Sequence, residues 1–280
     1  MVKKAVILAG GNGTRMLPFT KAVPKELLPI GSVPCIQLLI EECYFAGIKE
    51  FYIVINKNKS SLISFFDKNN KSKIYNEKYL LWEKILKEIK VEFIIQGEKL
   101  GTAGALSVVE KYITDEPFFV LFPDEVTLST ENSVIEQMLS VYSIKKRTLI
   151  AIKSIPKKEC YKYGVLDLHK IQNKIFSLNK IIEKPSINTK LPSNYISTGR
   201  FIFHQNIFSE IKNILQKGNE YLITDAINNL AITSDILCYE YDGIRCDLGN
   251  EDDYMLTNII FSMQKPTLKR RIKDLITDKI

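Results

Sequence analysis

Lys3-Lys4-Ala5-Val6-Ile7-Leu8-Ala9-Gly10-Gly11-Asn12-Gly13-Thr14-Arg15 is the stretch on which the reading of this chain turns. A short apolar run stopped by glycines reads as a buried parallel strand. Gly10, Gly11 and Gly13 free the backbone to take positive φ and to approach a ligand closely. Successive backbone N–H groups in such a loop form an anion-binding concavity. The chain continues Met16-Leu17-Pro18-Phe19-Thr20-Lys21-Ala22-Val23-Pro24-Lys25-Glu26-Leu27-Leu28-Pro29, so Arg15 and Lys25 are two cations joined by a proline-stiffened connection. The combination suits a polyphosphate. It is neither a Walker loop, since no Gly-Lys-Ser/Thr occurs, nor a dinucleotide fingerprint, since Gly11-Asn12-Gly13-Thr14-Arg15 runs on into Met16.

Outward from that loop, residues 34–46 carry Ile36, Leu39, Ile40 and Cys43 at helical spacing, with Gly47 as the stop. Residues 51–55 form a second apolar strand, so the opening is a strand–loop–helix–strand unit with a right-handed parallel crossover. A short helix is expected at 60–66 and a polar loop at 67–73. Tyr79, Trp82, Ile85, Leu86 and Ile89 make a helical stripe best explained by packing. A third strand at 91–95 delivers Gln96 to its carboxyl end, where ligands of open α/β sheets bind. An amide there can donate and accept at once, which suits the imide edge of a pyrimidine. The apolar strand 118–122 ends at Pro123-Asp124-Glu125, and a carboxylate at that tip is a candidate hard-cation ligand or simply a turn residue. A helix at 131–143 and strands at 148–153, 174–182 and 201–203 follow. Leu268, Ile272, Leu275 and Ile276 form a last helical stripe beside Lys269, Arg270, Arg271 and Lys273, read as a packing or oligomer-interface helix.

The 280 residues suffice for one large α/β domain spanning 1–280, with no linker or internal repeat. Hydrophobic (45%) and charged (25%) fractions are those of a soluble globular protein, and no run approaches the roughly 18–20 apolar residues of a membrane span. A cytoplasmic protein with no membrane partner is expected. Cys35, Cys43, Cys160, Cys238 and Cys246 are odd in number and lack C-x-x-C spacing, which points to reduced thiols. With only His169 and His204, a His-based zinc site and a Ser-His-Asp triad are poorly supported. The formal charge of +7 suits anionic partners, but much of it lies in 57–90 and 265–273. Its aromatics sit in apolar runs rather than among those cations, which argues against nucleic acid.

The run G-G-x-G-T-R-x-x-P-x-T-x-x-x-P-K-x-x-x-P, from Gly10 to Pro29, resembles the signature of the sugar-1-phosphate nucleotidylyltransferases, or NDP-sugar pyrophosphorylases. Within that family it is most similar to the bacterial branch acting on UTP and glucose 1-phosphate. The resemblance extends through Tyr163-Gly164-Val165, Glu183-Lys184-Pro185, Asn194 to Arg200, Glu220 to Ala226 and the strand ending at Asp247. It implies an α/β, three-layer Rossmann-like nucleotidyltransferase fold with a mixed, mainly parallel central sheet. It implies transfer of a uridylyl group from UTP to glucose 1-phosphate, with Mg²⁺ as cofactor and a homo-oligomer, dimer or tetramer, as the assembly.

The same resemblance implies roles residue by residue. Arg15, Lys25 and Lys184 are the catalytic cations. Ala9, Gly10, Gly11, Gly13, Thr14, Gln96 and Gly101 bind the nucleotide. Gly164, Glu183, Lys184 and Gly199 bind the sugar phosphate, and Asp124 and Asp247 hold Mg²⁺. The chain departs from the pattern in three places: residues 57–90 are shorter, Glu125 stands at the usual second aspartate, and Thr102-Ala103-Gly104-Ala105 replaces a Leu-Gly-His-Ala type run. Two alternatives stay open here. One is the same chemistry with another pair, such as dTTP with glucose 1-phosphate. The other is a non-catalytic sugar-nucleotide sensor, which would not need to keep both metal carboxylates.

Overall fold

The computed structural model describes residues 2–69, 76–129 and 131–279. The loop expected at 67–73 falls mostly outside them. The first half of the chain forms β1 (Lys4–Ala9), α1 (Phe19–Ala22), the short strands β2 (Pro29–Ile30) and β3 (Val33–Pro34), α2 (Cys35–Phe45) and β4 (Glu50–Ile55). It continues with α3 (Ser60–Phe65), α4 (Glu77–Glu88), β5 (Lys90–Ile95) and α5 (Gly101–Ser107). The second half supplies β6 (Phe118–Leu121), β7 (Glu125–Leu128), α6 (Val134–Lys145), β8 (Leu149–Ser154), β9 (Gly164–Gln172) and β10 (Ile175–Glu183). After these come β11 (Tyr195–Phe203), α7 (Asn206–Asn213), α8 (Ile223–Thr233), β12 (Leu237–Glu240), β13 (Ile244–Asp247), α9 (Glu251–Ser262) and α10 (Pro266–Lys279).

Among the described residues, nine strands pair in the order β5-β4-β1-β6-β11-β8-β12-β10-β9. The first four are parallel, as is the β8–β12 pair; β11 and β10 run against the other seven, so the sheet is mixed and mainly parallel. Alternation along β1 shows why it reads as one apolar run. Ala5, Ile7 and Ala9 face a core with Ile36 and Leu39 of α2, Trp82 and Ile85 of α4, and Met138 of α6. Val6 and Leu8 face a second core with Leu106 of α5, Phe208 of α7 and Ile227 of α8. Side chains of successive strand residues point to opposite faces, so both faces are covered and three layers result.

Several boundaries differ from the sequence reading. The strand at 118–122 stops at Leu121, and Glu125 opens a new strand, β7, that pairs antiparallel with β13. Pro123, with no N–H to donate, separates the two. The strand expected at 201–203 begins at Tyr195, and its register against β8 shifts between Ser197 and Phe201, around Gly199 at φ +61°. Within the resembled run Glu220 to Ala226, helix α8 starts at Ile223, and Glu220 pairs with Lys217 in an isolated bridge. Along the α10 stripe, Leu268 and Ile272 are partly buried, whereas Leu275 and Ile276 are more than half exposed. Among the described residues no helix is long and apolar enough to cross a membrane. All five cysteines are free and buried.

Candidate active site

The glycine loop leaves β1 at the carboxyl edge of the sheet and is anchored from beneath. Lys59 donates from Nζ to the Ala9 carbonyl (2.6 Å) and to both carboxylate oxygens of Glu26 (2.7 and 2.8 Å). Both partners of that ion pair are buried, Glu26 completely. Asn56, at the end of β4, donates from Nδ2 to the Gly10 carbonyl (3.1 Å) and Asn12 Oδ1 (2.9 Å). Gly13 turns the loop at φ +66°, and its carbonyl accepts from Thr20 Oγ1 at 2.8 Å.

Above the loop lies a cleft of about 410 Å³, a size ordinary for small-molecule sites. Gly10, Gly11, Arg15, Lys25, Gln96 and Gly101 line it, together with Asp124, Gly164, Glu183, Lys184, Gly199 and Asp247. Three residues expected at the site do not. Ala9 is buried in β1, Gly13 is turned onto Thr20, and Thr14 is exposed at the start of a short 3-10 turn.

Lys25 donates to Asp124 Oδ2 at 2.6 Å. Burial opposes the charge on Asp124, yet the Lys25 ammonium outweighs it and holds this carboxyl below its ordinary value. For Lys25, burial is likewise outweighed by Asp124 and Glu26, so its pKa lies above the ordinary lysine value. Both groups are therefore ionised near neutral pH. Arg15 is exposed and reaches across to the β13 end: a methyl on Gly249 would come within 3.1 Å of Arg15 Nη1.

Asp247 is fixed on three sides. Tyr163 OH donates to its Oδ2 at 2.7 Å, Arg245 Nη2 to the same oxygen at 3.0 Å, and Gly249 N to its Oδ1 at 2.7 Å. Arg245 also forks onto Glu125, through Nε (2.9 Å) and Nη2 (2.8 Å), and its guanidinium lies 4.3 Å above the Tyr163 ring. Leu248 N donates to the Asp124 carbonyl at 2.8 Å, which ties the two aspartate-bearing segments together. Among the described residues no three His, Cys, Asp or Glu side chains are disposed to hold a metal by themselves. Two carboxylates at one cleft do fit Mg²⁺, which is commonly bound through one or two protein carboxylates plus substrate phosphates and water.

At the other end of the cleft, Gly164 of β9 stands directly opposite Glu183 of β10. A methyl on Gly164 would sit 3.2 Å from Glu183 Oε2, so the glycine leaves room for that carboxylate. Burial raises the Glu183 pKa, an effect that Lys184 partly offsets. Lys184 is exposed, takes a left-handed backbone (φ +40°) and donates its N–H to the Tyr163 carbonyl at 3.1 Å. Gln96 donates from Nε2 to the carbonyls of Lys99 (3.1 Å) and Gly101 (3.4 Å), and its Oε1 lies against Gly10.

Gly101 opens α5 at φ +87°, and a methyl there would fall 2.6 Å from the Tyr221 carbonyl. That carbonyl accepts from Ala103 N at 2.9 Å, so the backbone has little freedom to retreat. Gly101→Ala is therefore expected to destabilise the protein by about 1–3 kcal/mol, read as a lower midpoint of urea unfolding. The unusual run Thr102 to Ala105 has a similar reason within it. The Lys99 carbonyl passes so close to α5 that a methyl on Gly104 would lie 2.1 Å from it.

Sequence reasoning missed Lys59, Asn56 and Glu26, which set the loop, and gave no role to Tyr163 and Arg245, which hold Asp247. Tyr163 and Arg245 did stand inside recognisable motifs. Nothing local marked Lys59.

Comparison with known proteins places this chain in context. The family model described as Nucleotidyl transferase matches residues 4–260. UTP–glucose-1-phosphate uridylyltransferase 1 of Staphylococcus saprophyticus is 32% identical, with 98% of each chain covered. A crystal structure of a UDP-glucose pyrophosphorylase complexed with UDP-glucose superposes with a TM-score of 0.87 at 32% identity, covering 95% of this chain and 100% of that one. The UTP-bound enzyme of Acinetobacter baumannii superposes with a TM-score of 0.84 at 26% identity, over 100% of both chains.

Proposed function

The chain belongs to the nucleotidyl transferase family, and from that premise we propose that it transfers a uridylyl group from UTP to α-D-glucose 1-phosphate, releasing pyrophosphate. The observation that carries this reading is one cleft gathering a glycine loop, Arg15, Lys25, Glu183, Lys184 and two aspartates. The sugar phosphate oxygen attacks the α-phosphorus in line: its bond to phosphorus forms as the bond to the leaving pyrophosphate breaks. That oxygen is already ionised near neutral pH, so no general base is needed. Neither histidine lines the cleft.

The work left to the protein is positioning and charge neutralisation. Lys25 has three donors, of which Asp124 takes one, leaving the others for phosphate oxygens. Arg15 adds a second cation on the triphosphate as charge builds on the leaving group. Lys184 holds the sugar phosphate, and Glu183 accepts from sugar hydroxyls. Gln96 faces the uracil edge, with Gly101 beside it. Asp124 and Asp247 are the groups to hold a divalent cation, Mg²⁺ in this reading. When bound, the cation lowers the repulsion between the α-phosphate and the incoming sugar phosphate.

Pyrophosphate release should be fast for UTP with glucose 1-phosphate in the presence of Mg²⁺, and slower with dTTP, CTP, GTP or ATP and with other hexose 1-phosphates. Fast turnover with a different pair alone would replace the substrates and keep the mechanism. No turnover with any pair, from folded protein that binds UTP, would overturn the enzyme reading in favour of a sensor.

A further inference from the structure

Glu125 stands where the resembled family has a second aspartate, yet its surroundings are not those of a free metal ligand. It is 8% exposed, and both of its carboxylate oxygens accept from Arg245. The β7–β13 ribbon sets Glu125 directly opposite Asp247. Two like charges in that relation repel across the strand pair. Arg245, two residues before Asp247 and on the same face, resolves the conflict because its Nη2 donates to both carboxylates.

The guanidinium is itself held. Its face rests on the Tyr163 ring at 4.3 Å, and the Tyr163 hydroxyl closes the triangle by donating to Asp247 Oδ2. The backbone carbonyl of Glu125 accepts from the fully buried Arg200, which is in turn paired with Glu42 of α2. This end of the ribbon is thus anchored to the body of the fold. Oδ2 of Asp247 accepts from two donors, whereas among the described residues Oδ1 accepts from Gly249 N alone. Oδ1 is left as the oxygen with capacity to spare.

We propose that Glu125, Arg245 and Tyr163 form a clamp that positions Asp247 toward the divalent cation, with Glu125 acting through Arg245 and not as a ligand. The inference rests on the uridylyl-transfer reading above. It makes Glu125 and Arg245 positioning residues for the reaction. A fork of this kind needs a planar, bidentate donor, which lysine does not supply.

The test measures Mn²⁺ affinity of the UDP-glucose-saturated protein by electron paramagnetic resonance of the free ion. Tyr163→Phe, which deletes one hydroxyl, should weaken Mn²⁺ binding about 10-fold. Glu125→Gln should weaken it comparably in the wild-type background, and should add nothing in an Arg245→Met background. Unchanged Mn²⁺ affinity in folded Tyr163→Phe overturns the clamp. An equal loss on Glu125→Gln with and without Arg245 also overturns it, because that is the behaviour of a direct ligand. Should Arg245→Met not fold, Tyr163→Phe decides alone. A wild-type protein without nucleotidyl transfer would defeat the functional reading. An active, metal-dependent wild type with a silent Tyr163→Phe would defeat only the clamp.

Discussion

Lys25→Ala is expected to lower kcat by about 10²–10³, roughly 2.7–4 kcal/mol, in a protein that still folds. The argument starts from placement. Lys25 lies in the short 3-10 turn Lys25–Leu27 after Pro24, its side chain is 16% exposed, and it lines the cleft that holds the glycine loop. A cation so screened from water acts far more strongly on developing charge than it would in bulk solvent. The effect belongs mainly in kcat, because negative charge on the leaving pyrophosphate grows as the α-phosphorus bond breaks.

The same substitution removes the partner of Asp124 and so changes the pH dependence of stability. In the wild type the Asp124 pKa is depressed and that of Lys25 raised. The contribution of the pair is fully present between about pH 4 and pH 10, the ordinary carboxylate and lysine values. It is lost as pH falls through the depressed value of Asp124, or rises through the raised value of Lys25. Steady-state pyrophosphate release, with circular dichroism on the same sample, checks the main effect. Near-normal turnover from folded Lys25→Ala would remove Lys25 from the mechanism.

Lys59→Met should cost about 3–5 kcal/mol of stability. It leaves Glu26, with no exposed surface, without the ammonium that satisfies both its oxygens. It also deprives the Ala9 carbonyl of its side-chain donor at the point where β1 hands over to the glycine loop. A buried pair contributes little net stability compared with apolar groups of the same shape, so the loss comes from stranding one partner. Glu26→Leu combined with Lys59→Met should therefore regain most of the loss in urea unfolding. The double variant should still bind UTP less tightly than wild type, since the Ala9 carbonyl stays unanchored. A Lys59→Met protein as stable as wild type would show that Glu26 finds another partner.

How much of this was legible beforehand depends on the range of the interaction concerned. The opening strand, the glycine loop and the Arg15–Lys25 pair could be read directly, because apolar runs and backbone freedom are properties of neighbouring residues. The α2 and α4 stripes were legible for the same reason: helical period is local, and Ile36, Leu39, Trp82 and Ile85 are all buried. Motifs such as Glu183-Lys184-Pro185 were legible through their resemblance to a family, and the sheet brings them to the same cleft as the loop.

The charge partners were not legible. Lys59 meets Glu26 across 33 residues, Asp124 meets Lys25 across 99, and Arg245 meets Glu125 across 120. Coulombic pairing leaves no periodic trace along a chain. Lysines at 57, 59 and 68 look alike in sequence, and only Lys59, at the N-terminus of α3, enters the protein beneath the loop. Local sequence thus determined that this chain opens with a strand and a glycine loop followed by Arg15 and Lys25, in an α/β protein. Strand order and register decided which distant charges meet there, because those contacts exist only once the sheet is assembled.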